Sequence, residues 1–208
     1  MENFTEKKLD HLESVENSAP QNLTPEPKKK NEFKELLKFA LIAVPIVLLI
    51  RTYIIGPFVV SGASMDSTFL NGQYLIVDEL SYHFNAPKRG EVVIFKYPLD
   101  TKRFYIKRVV GLPGETVNIE GGAVTVTGPE YPRGHLLKEP YIDSANKKSD
   151  SMSMRLGDDE YFLMGDNRAE SSDSRIWGPV KRDLMIGRPL VRLFPFTKVN
   201  TFPGRYIE

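Results

Sequence analysis

At 208 residues the chain has room for one ordinary domain and an extension, and its 41% hydrophobic and 26% charged content is that of a globular protein. With 28 Lys and Arg against 27 Asp and Glu the formal net charge is +1, which gives no global electrostatic reason to bind nucleic acid. Cysteine is absent, so thiol chemistry, Cys-ligated zinc, iron–sulfur clusters and disulfides are excluded; the three histidines, His11, His83 and His135, lack zinc-motif spacing, and no metal or cofactor is expected.

Residues 1–33 are polar, carry Pro20, Pro25, Pro27 and the run Lys28-Lys29-Lys30, and read as a disordered tail. Asn3 and Asn22 each open a glycosylation sequon, a weak signal by itself. From Phe39 to Ile50 the sequence FALIAVPIVLLI is an apolar run of twelve, extended back to Leu36 and forward through Ile54 and Ile55. With Lys38 and Arg51 snorkelling their charged ends, residues 34–56 reach the length of about 20 that a membrane-spanning helix needs. Pro45 is better tolerated in a membrane helix than in a soluble one. A buried soluble helix and a cleavable signal peptide are the other readings; against the second, the polar lead before the run is long for an n-region. Lys28, Lys29, Lys30, Lys34 and Lys38 precede the run, and only Arg51 carries positive charge from there to residue 87. That asymmetry predicts a single-pass protein of the cell membrane with its N-terminus cytoplasmic and residues 57–208 extracytoplasmic.

Beyond residue 56 the period changes to short β-branched or aromatic runs: 74–80, 91–98, 104–110, 116–120, 123–127, 160–166 and 190–196. Gly121-Gly122 marks a hairpin, 143–155 reads as a surface loop, and no long amphipathic helix is present. The prediction is a mostly β domain over 57–208 behind a transmembrane helix.

Three stretches can carry chemistry. VVSGASMDST (59–68) crowds Ser61, Ser64, Ser67 and Thr68 into one turn with no histidine nearby to serve as base. In FYIKRVVGLPGE (104–115), strand alternation puts Tyr105, Lys107 and Val109 on one face and Arg108 on the other. Lys107 thus lies between apolar neighbours, where burial lowers an amine's pKa from about 10.4 toward neutrality and makes it a base able to deprotonate a serine. A lysine snorkelling from an edge strand is the bland alternative. MGDNRAESSDSRIWGPV (164–180) offers hard oxygens on Asp166, Asn167, Ser171 and Asp173, but it lacks EF-hand spacing and Arg168 and Arg175 would repel a cation. It reads as a charged scaffold.

Taken together, SGASM (61–65), RGEVVIF (89–95), IKRVVGLPGE (106–115) and GDNRAESSDSRIWGPV (165–180), in this order after an N-terminal anchor, resemble the boxes of bacterial type I signal peptidases. The resemblance covers about residues 34–208. It implies a membrane-bound serine endopeptidase with a signal-peptidase-type β-rich catalytic domain, acting as a monomer on preproteins at the lipid bilayer. By the resemblance Ser64 is the nucleophile and Lys107 the general base, with the Ser64 N–H as oxyanion donor. Ser171 orients the lysine amine, Asp173 and Arg175 hold its loop, and Asp166 pairs with Arg108. Phe58, Val60, Met65, Tyr105 and Ile106 surround shallow pockets for small residues at the −1 and −3 positions of an extended signal peptide. Two positions depart from the family pattern: Ser67 stands where a proline is usual, and Gly62 where some members have an oxyanion-hole serine. A tethered peptide-binding relative without catalysis is opposed by the intact Ser64 and Lys107. A self-cleaving transcriptional regulator would need a DNA-binding head that the sequence does not offer.

Overall fold

In a computed structural model the chain is described over residues 32–53 and 55–206, the side chains of 49–53 and 55 excepted. The tail expected over 1–31, both sequons, Ile54 and the Arg51 side chain lie outside the described residues. The chain separates into two compact units at Ala43/Val44.

Helix α1 spans Glu32–Tyr53, with Glu32 and Glu35 in its first turn, where carboxylates offset the exposed amide dipoles, and Pro45 inside it. Its apolar side chains from Phe33 to Leu48 are mostly exposed, with Phe39, Leu41 and Ile42 among the most open. Among the described residues no helix is long and apolar enough to cross a membrane.

The rest is built from strands. In chain order they are β1 (Ile55–Val59), β2 (Tyr74–Asp78), β3 (Val92–Tyr97), β4 (Asp100–Gly111), β5 (Thr116–Glu120) and β6 (Ala123–Thr127). Then follow β7 (His135–Leu136), β8 (Met152–Arg155), β9 (Glu160–Met164), β10 (Val180–Lys181), β11 (Met185–Phe194) and β12 (Asn200–Thr201). The two helices in this region are single turns, α2 (Ser81–Phe84) and α3 (Ser174–Trp177). Among the described residues the larger sheet runs β1-β2-β11-β3-β4-β9-β10, with β12 paired to β11, and the smaller runs β7-β6-β5-β8. The domain is mostly β, as the short alternating runs predict.

Residues 143–155 are not the plain loop the sequence suggested. They hold a 3-10 turn at Ser144–Asn146 and then β8. In β8, Met152 and Met154 turn toward the core of the small sheet while Ser153 and Arg155 stay exposed. Methionine is a weak β signal, so this alternation is easily read as loop.

Strand β4 organises the core. Val109 packs with Val93, Phe95, Tyr161 and Leu163 on one side. On the other side Ile106 packs against Val60, Met65, Phe69, Leu75 and Val92, and Val110 joins Phe162, Met164 and the small sheet. Strand β11 serves two neighbours: Met185 lies opposite Phe95 of β3, and Pro189 opposite Val77 of β2, with register shifts along the way. Such irregularities bend a sheet. Although β2, β11 and β3 stand between β1 and β4 in strand order, both β1 and β4 line a single groove.

Candidate active site

The first site element is the loop between β1 and β2. Val60 N–H donates to Gln73 O at 2.9 Å and Gly72 N–H to Val60 O at 2.9 Å, closing the loop at its base. Inside it, Phe69 N–H donates to Met65 O at 2.8 Å, and the Met65 and Phe69 side chains sink together into the core. Burying two such side chains is worth about 1.5–3 kcal/mol each, and it pins the turn on which Ser64 sits half-exposed. Gly62 has φ 92°, so a serine there would be strained, and its N–H is engaged by Asn71 Oδ1 at 3.0 Å. The Asp66–Ser67 peptide is cis.

The second element is β4. Its pairing sets Lys107 opposite Val93 and Arg108 opposite Val92 and Met164. Lys107 is 3% exposed, and its Nζ donates to Ser64 Oγ at 2.7 Å and to Ile106 O at 3.0 Å. The Tyr105 ring lies 5.5 Å from the amine. Burial drives the lysine pKa down to about 8, against the pull of the Asp173 and Asp166 charges, which favour the ammonium. Part of the amine is therefore neutral near pH 7–8.

Arg108 points the other way, and each of its three nitrogens is engaged. Nε and Nη2 grip Asp166 at 2.8 and 2.6 Å, and Nη1 reaches Gly90 O at 2.7 Å and Gly204 O at 2.8 Å. Its guanidinium also stacks 3.8 Å above the Tyr141 ring. Asp166 passes this anchorage to the nucleophile turn by accepting from Thr68 Oγ1 at 2.5 Å. At the end of the same motif Glu115 accepts from Leu112 N–H at 2.8 Å and pairs with Arg89, whose guanidinium reaches Val110 O at 2.6 Å.

The third element, residues 165–175, wraps around both. Asn167 N–H donates to Ser64 O at 3.1 Å and its side-chain amide to Ala63 O at 3.2 Å. A methyl group on Gly165 would overlap the Ser64 carbonyl oxygen and Ser171 Oγ, so only glycine allows this approach. Asp173 accepts from Gly165 N–H at 3.0 Å and from Arg175 Nη2 at 2.7 Å. Burial pushes its pKa up, but the Arg175 contacts outweigh this and hold it below the usual range. Arg175 also pairs with Asp150, and Arg168 with Glu139.

Of the residues singled out in the sequence, Ser64, Lys107, Phe58, Val60, Tyr105 and Ile106 line one groove of about 500 Å³, with Leu75 and Ile94 contributing from the strands between. Met65 does not line it; in a turn without a strand's alternation its side chain points inward, 1% exposed. Ser171 is buried beside this junction, near the Asp173 carboxylate, but its hydroxyl makes no well-formed hydrogen bond among the described residues, and the amine's partners are Ser64 and Ile106. Arg108, Asp166, Asp173 and Arg175 stand behind the groove as supports. Sequence reasoning missed Gly165, Asn167, Thr68 and Asn146 as holders of the turn, and Arg103, Glu170 and Ser172 on the groove wall. Among the described residues no cluster of His, Asp or Glu could hold a metal ion.

A family model described as signal peptidase, peptidase S26, matches residues 33–194. Among similar proteins, signal peptidase I of Leptolyngbya laminosa is 32% identical over 202 residues, covering 90% of this chain and 96% of that one. Signal peptidase I of Bacillus licheniformis is 34% identical over 183 residues, covering 83% and 94%. A solved signal peptidase I from Enterococcus faecalis V583 aligns with a TM-score of 0.44 at 28% identity, over 50% of this chain and 97% of that one.

Proposed function

The chain belongs to the signal peptidase family, peptidase S26, whose members are serine endopeptidases, and within it we propose a membrane-bound enzyme that removes signal peptides from exported preproteins by a Ser64–Lys107 dyad. The observation that carries this reading is the buried Lys107 amine, 2.7 Å from Ser64 Oγ and lowered to about pKa 8, at the floor of an open groove.

The chemistry follows from that contact. Neutral Nζ accepts the Ser64 proton as Oγ attacks the scissile carbonyl, then returns it to the leaving amine. The resulting ester is hydrolysed by a water that the same amine deprotonates. Ser64 N–H has no partner among the described residues, which suits it to receive the developing oxyanion. The Gly62 N–H is already used by Asn71, so a second donor comes from water or another backbone group.

The groove favours an extended peptide with small side chains. Among the described residues β1 pairs only with β2, and the stretch of β4 before Arg108 only with β3, so each leaves a free edge where a substrate strand can hydrogen-bond. Its walls are large and braced: Phe58 and Phe104 meet edge to face at 5.6 Å, and Tyr105 stacks on Tyr97 at 4.6 Å. Such walls leave alanine-sized room, matching small residues at −1 and −3.

A single anchor over 34–56, with the N-terminus cytoplasmic and the groove extracytoplasmic, is favoured by the mostly exposed apolar side chains of α1 from Phe33 to Leu48. The described helix is by itself not long and apolar enough to cross, so the reading draws on the apolar sequence continuing through Ile54 and Ile55. Near the groove, Val59, Tyr74 and Phe194 sit opposite one another on three strands and are exposed, an apolar rim suited to a lipid surface. The enzyme acts as a monomer on this reading, since Ser64, Lys107 and the groove walls all come from one chain.

The test is cleavage of a purified precursor bearing a signal peptide by the parent, Ser64→Ala and Lys107→Ala. Both variants are expected to lose at least about 10³-fold in rate. Equal processing by all three would overturn the assignment.

A further inference from the structure

Four groups hold the nucleophile turn from outside, and they are unevenly spaced. Ala63 and Ser64 are held by Asn167, and Thr68 by Asp166 through its hydroxyl and by Arg192 through its carbonyl at 2.7 Å. Between these anchors lies the Asp66–Ser67 peptide. Its N–H donates to nothing among the described residues, and its carbonyl has a single partner, Asn146 Nδ2 at 2.8 Å. The Ser67 side chain is exposed and makes no hydrogen bond among the described residues.

Asn146 is built to be stationary. It ends the 3-10 turn Ser144–Asn146, which Asp143 caps by accepting from Ala145 N–H at 3.0 Å. Its own carbonyl accepts from Ala169 N–H at 3.1 Å, fastening it to the segment that also carries Asn167 and Ser171. Four residues on, Asp150 pairs with Arg175, which grips Asp173. The 143–150 segment is thus fixed to the 165–175 wrap at two points, and from it one amide reaches 80 residues back to the nucleophile turn.

We propose that Asn146 is a positioning residue for Ser64, acting through the Asp66–Ser67 peptide. The proposal rests on the serine–lysine reading above. An amide fits the place because a carbonyl must be met by a donor, and Asn presents one on a short side chain that loses little freedom. Without it the Asp66–Ser67 peptide keeps only the turn's own bonds, Asp66 N–H to Ala63 O at 3.0 Å and Phe69 N–H to Met65 O at 2.8 Å, so it rocks more and the Oγ–Nζ distance widens in part of the population. Displacements of this kind cost rate without altering the walls that bind substrate.

The experiment uses the full-length protein in detergent micelles. Asn146→Ala removes the donor, and Asn146→Asp keeps the shape while a carboxylate has no proton to donate. Both are expected to lower kcat about tenfold with KM within about twofold, and to leave the midpoint of the pH–rate profile where it is in the parent. Amide hydrogen exchange over residues 62–68 is expected to speed up about tenfold in both, with the rest of the domain unchanged. Ser67→Pro stiffens the same peptide from within, at no loss of a hydrogen bond because the Ser67 N–H is unused, and is expected to restore most of the kcat and exchange protection of Asn146→Ala. Unchanged exchange in the turn, or exchange that quickens uniformly across the domain, would overturn the proposal. So would a kcat deficit that Ser67→Pro leaves untouched while the turn regains protection. If the parent processes no precursor, the serine–lysine reading fails, whereas the exchange measurement still decides what Asn146 holds.

Discussion

Lys107 and Arg108 are neighbours on strand β4, both cationic and both buried, yet their surroundings differ completely. On one side of the strand Arg108 has two bonds to Asp166, two to backbone carbonyls, and an aromatic ring beneath it. On the other, Lys107 meets a hydroxyl and one carbonyl, with the Asp173 and Asp166 charges too remote to offset its burial. A buried cation with every nitrogen engaged is a structural tie. The same charge left short of partners surrenders its proton easily and becomes a base.

Substituting methionine at each position should therefore move stability in opposite directions. Arg108→Met leaves the Asp166 carboxylate buried without its partner and should cost about 3–5 kcal/mol in denaturant unfolding of the detergent-solubilised protein. Lys107→Met removes an ammonium that the fold disfavours. Because the folded pKa of about 8 lies below the free value of 10.5, the folded state binds fewer protons than the unfolded state between those values, and parental stability climbs with pH across that window. The methionine variant should be more stable than the parent at about pH 6–7, with its advantage shrinking above pH 8. Equal losses from both substitutions would break the contrast.

The next effect in size concerns the close approach at Gly165. Gly165 lies against the Ser64 carbonyl and the Ser171 side chain with no room for a methyl group. Gly165→Ala must displace one of them. The Ser64 carbonyl is backbone held by Asn167, so a shift there moves Oγ away from the lysine, and kcat should fall about 10²-fold with a smaller change in KM. An alanine variant with parental kcat would mean that Ser171 alone gives way.

How much of this was legible in the sequence follows from which contacts are local. The burial of Lys107 and its separation from Arg108 come from a strand's alternation, a local rule, as do β5, β6 and the turn between them. Ser64 was not distinguishable from Ser61, Ser67 and Thr68 by local rules, because what separates them is a lysine 43 residues away in sequence. Met65 is placed at the pocket by the family resemblance alone, and the structure turns its side chain into the core; in an aperiodic turn nothing in the sequence tells which way a side chain points. Gly165 and Asn146 act across 101 and 80 residues by close approach and by one hydrogen bond, and neither leaves a pattern in its own neighbourhood.

The smallest effect is also the most specific. If the Lys107 amine is the base, the rate should follow its neutral fraction, which for a pKa of about 8 rises from about one-tenth at pH 7 to about nine-tenths at pH 9. The pH profile of kcat/KM on a precursor should therefore climb about tenfold over that interval and level off, with no second step at the pKa of an exposed lysine. The same loss of a proton relieves the buried ammonium, so unfolding free energy should climb over pH 8 to 10 as the rate approaches its plateau. A rate that rises only near pH 10 would show an amine in contact with water. A rate that rises at 8 while stability stays flat would assign the titration to a group other than Lys107, and would leave the two sides of β4 more alike than their contacts imply.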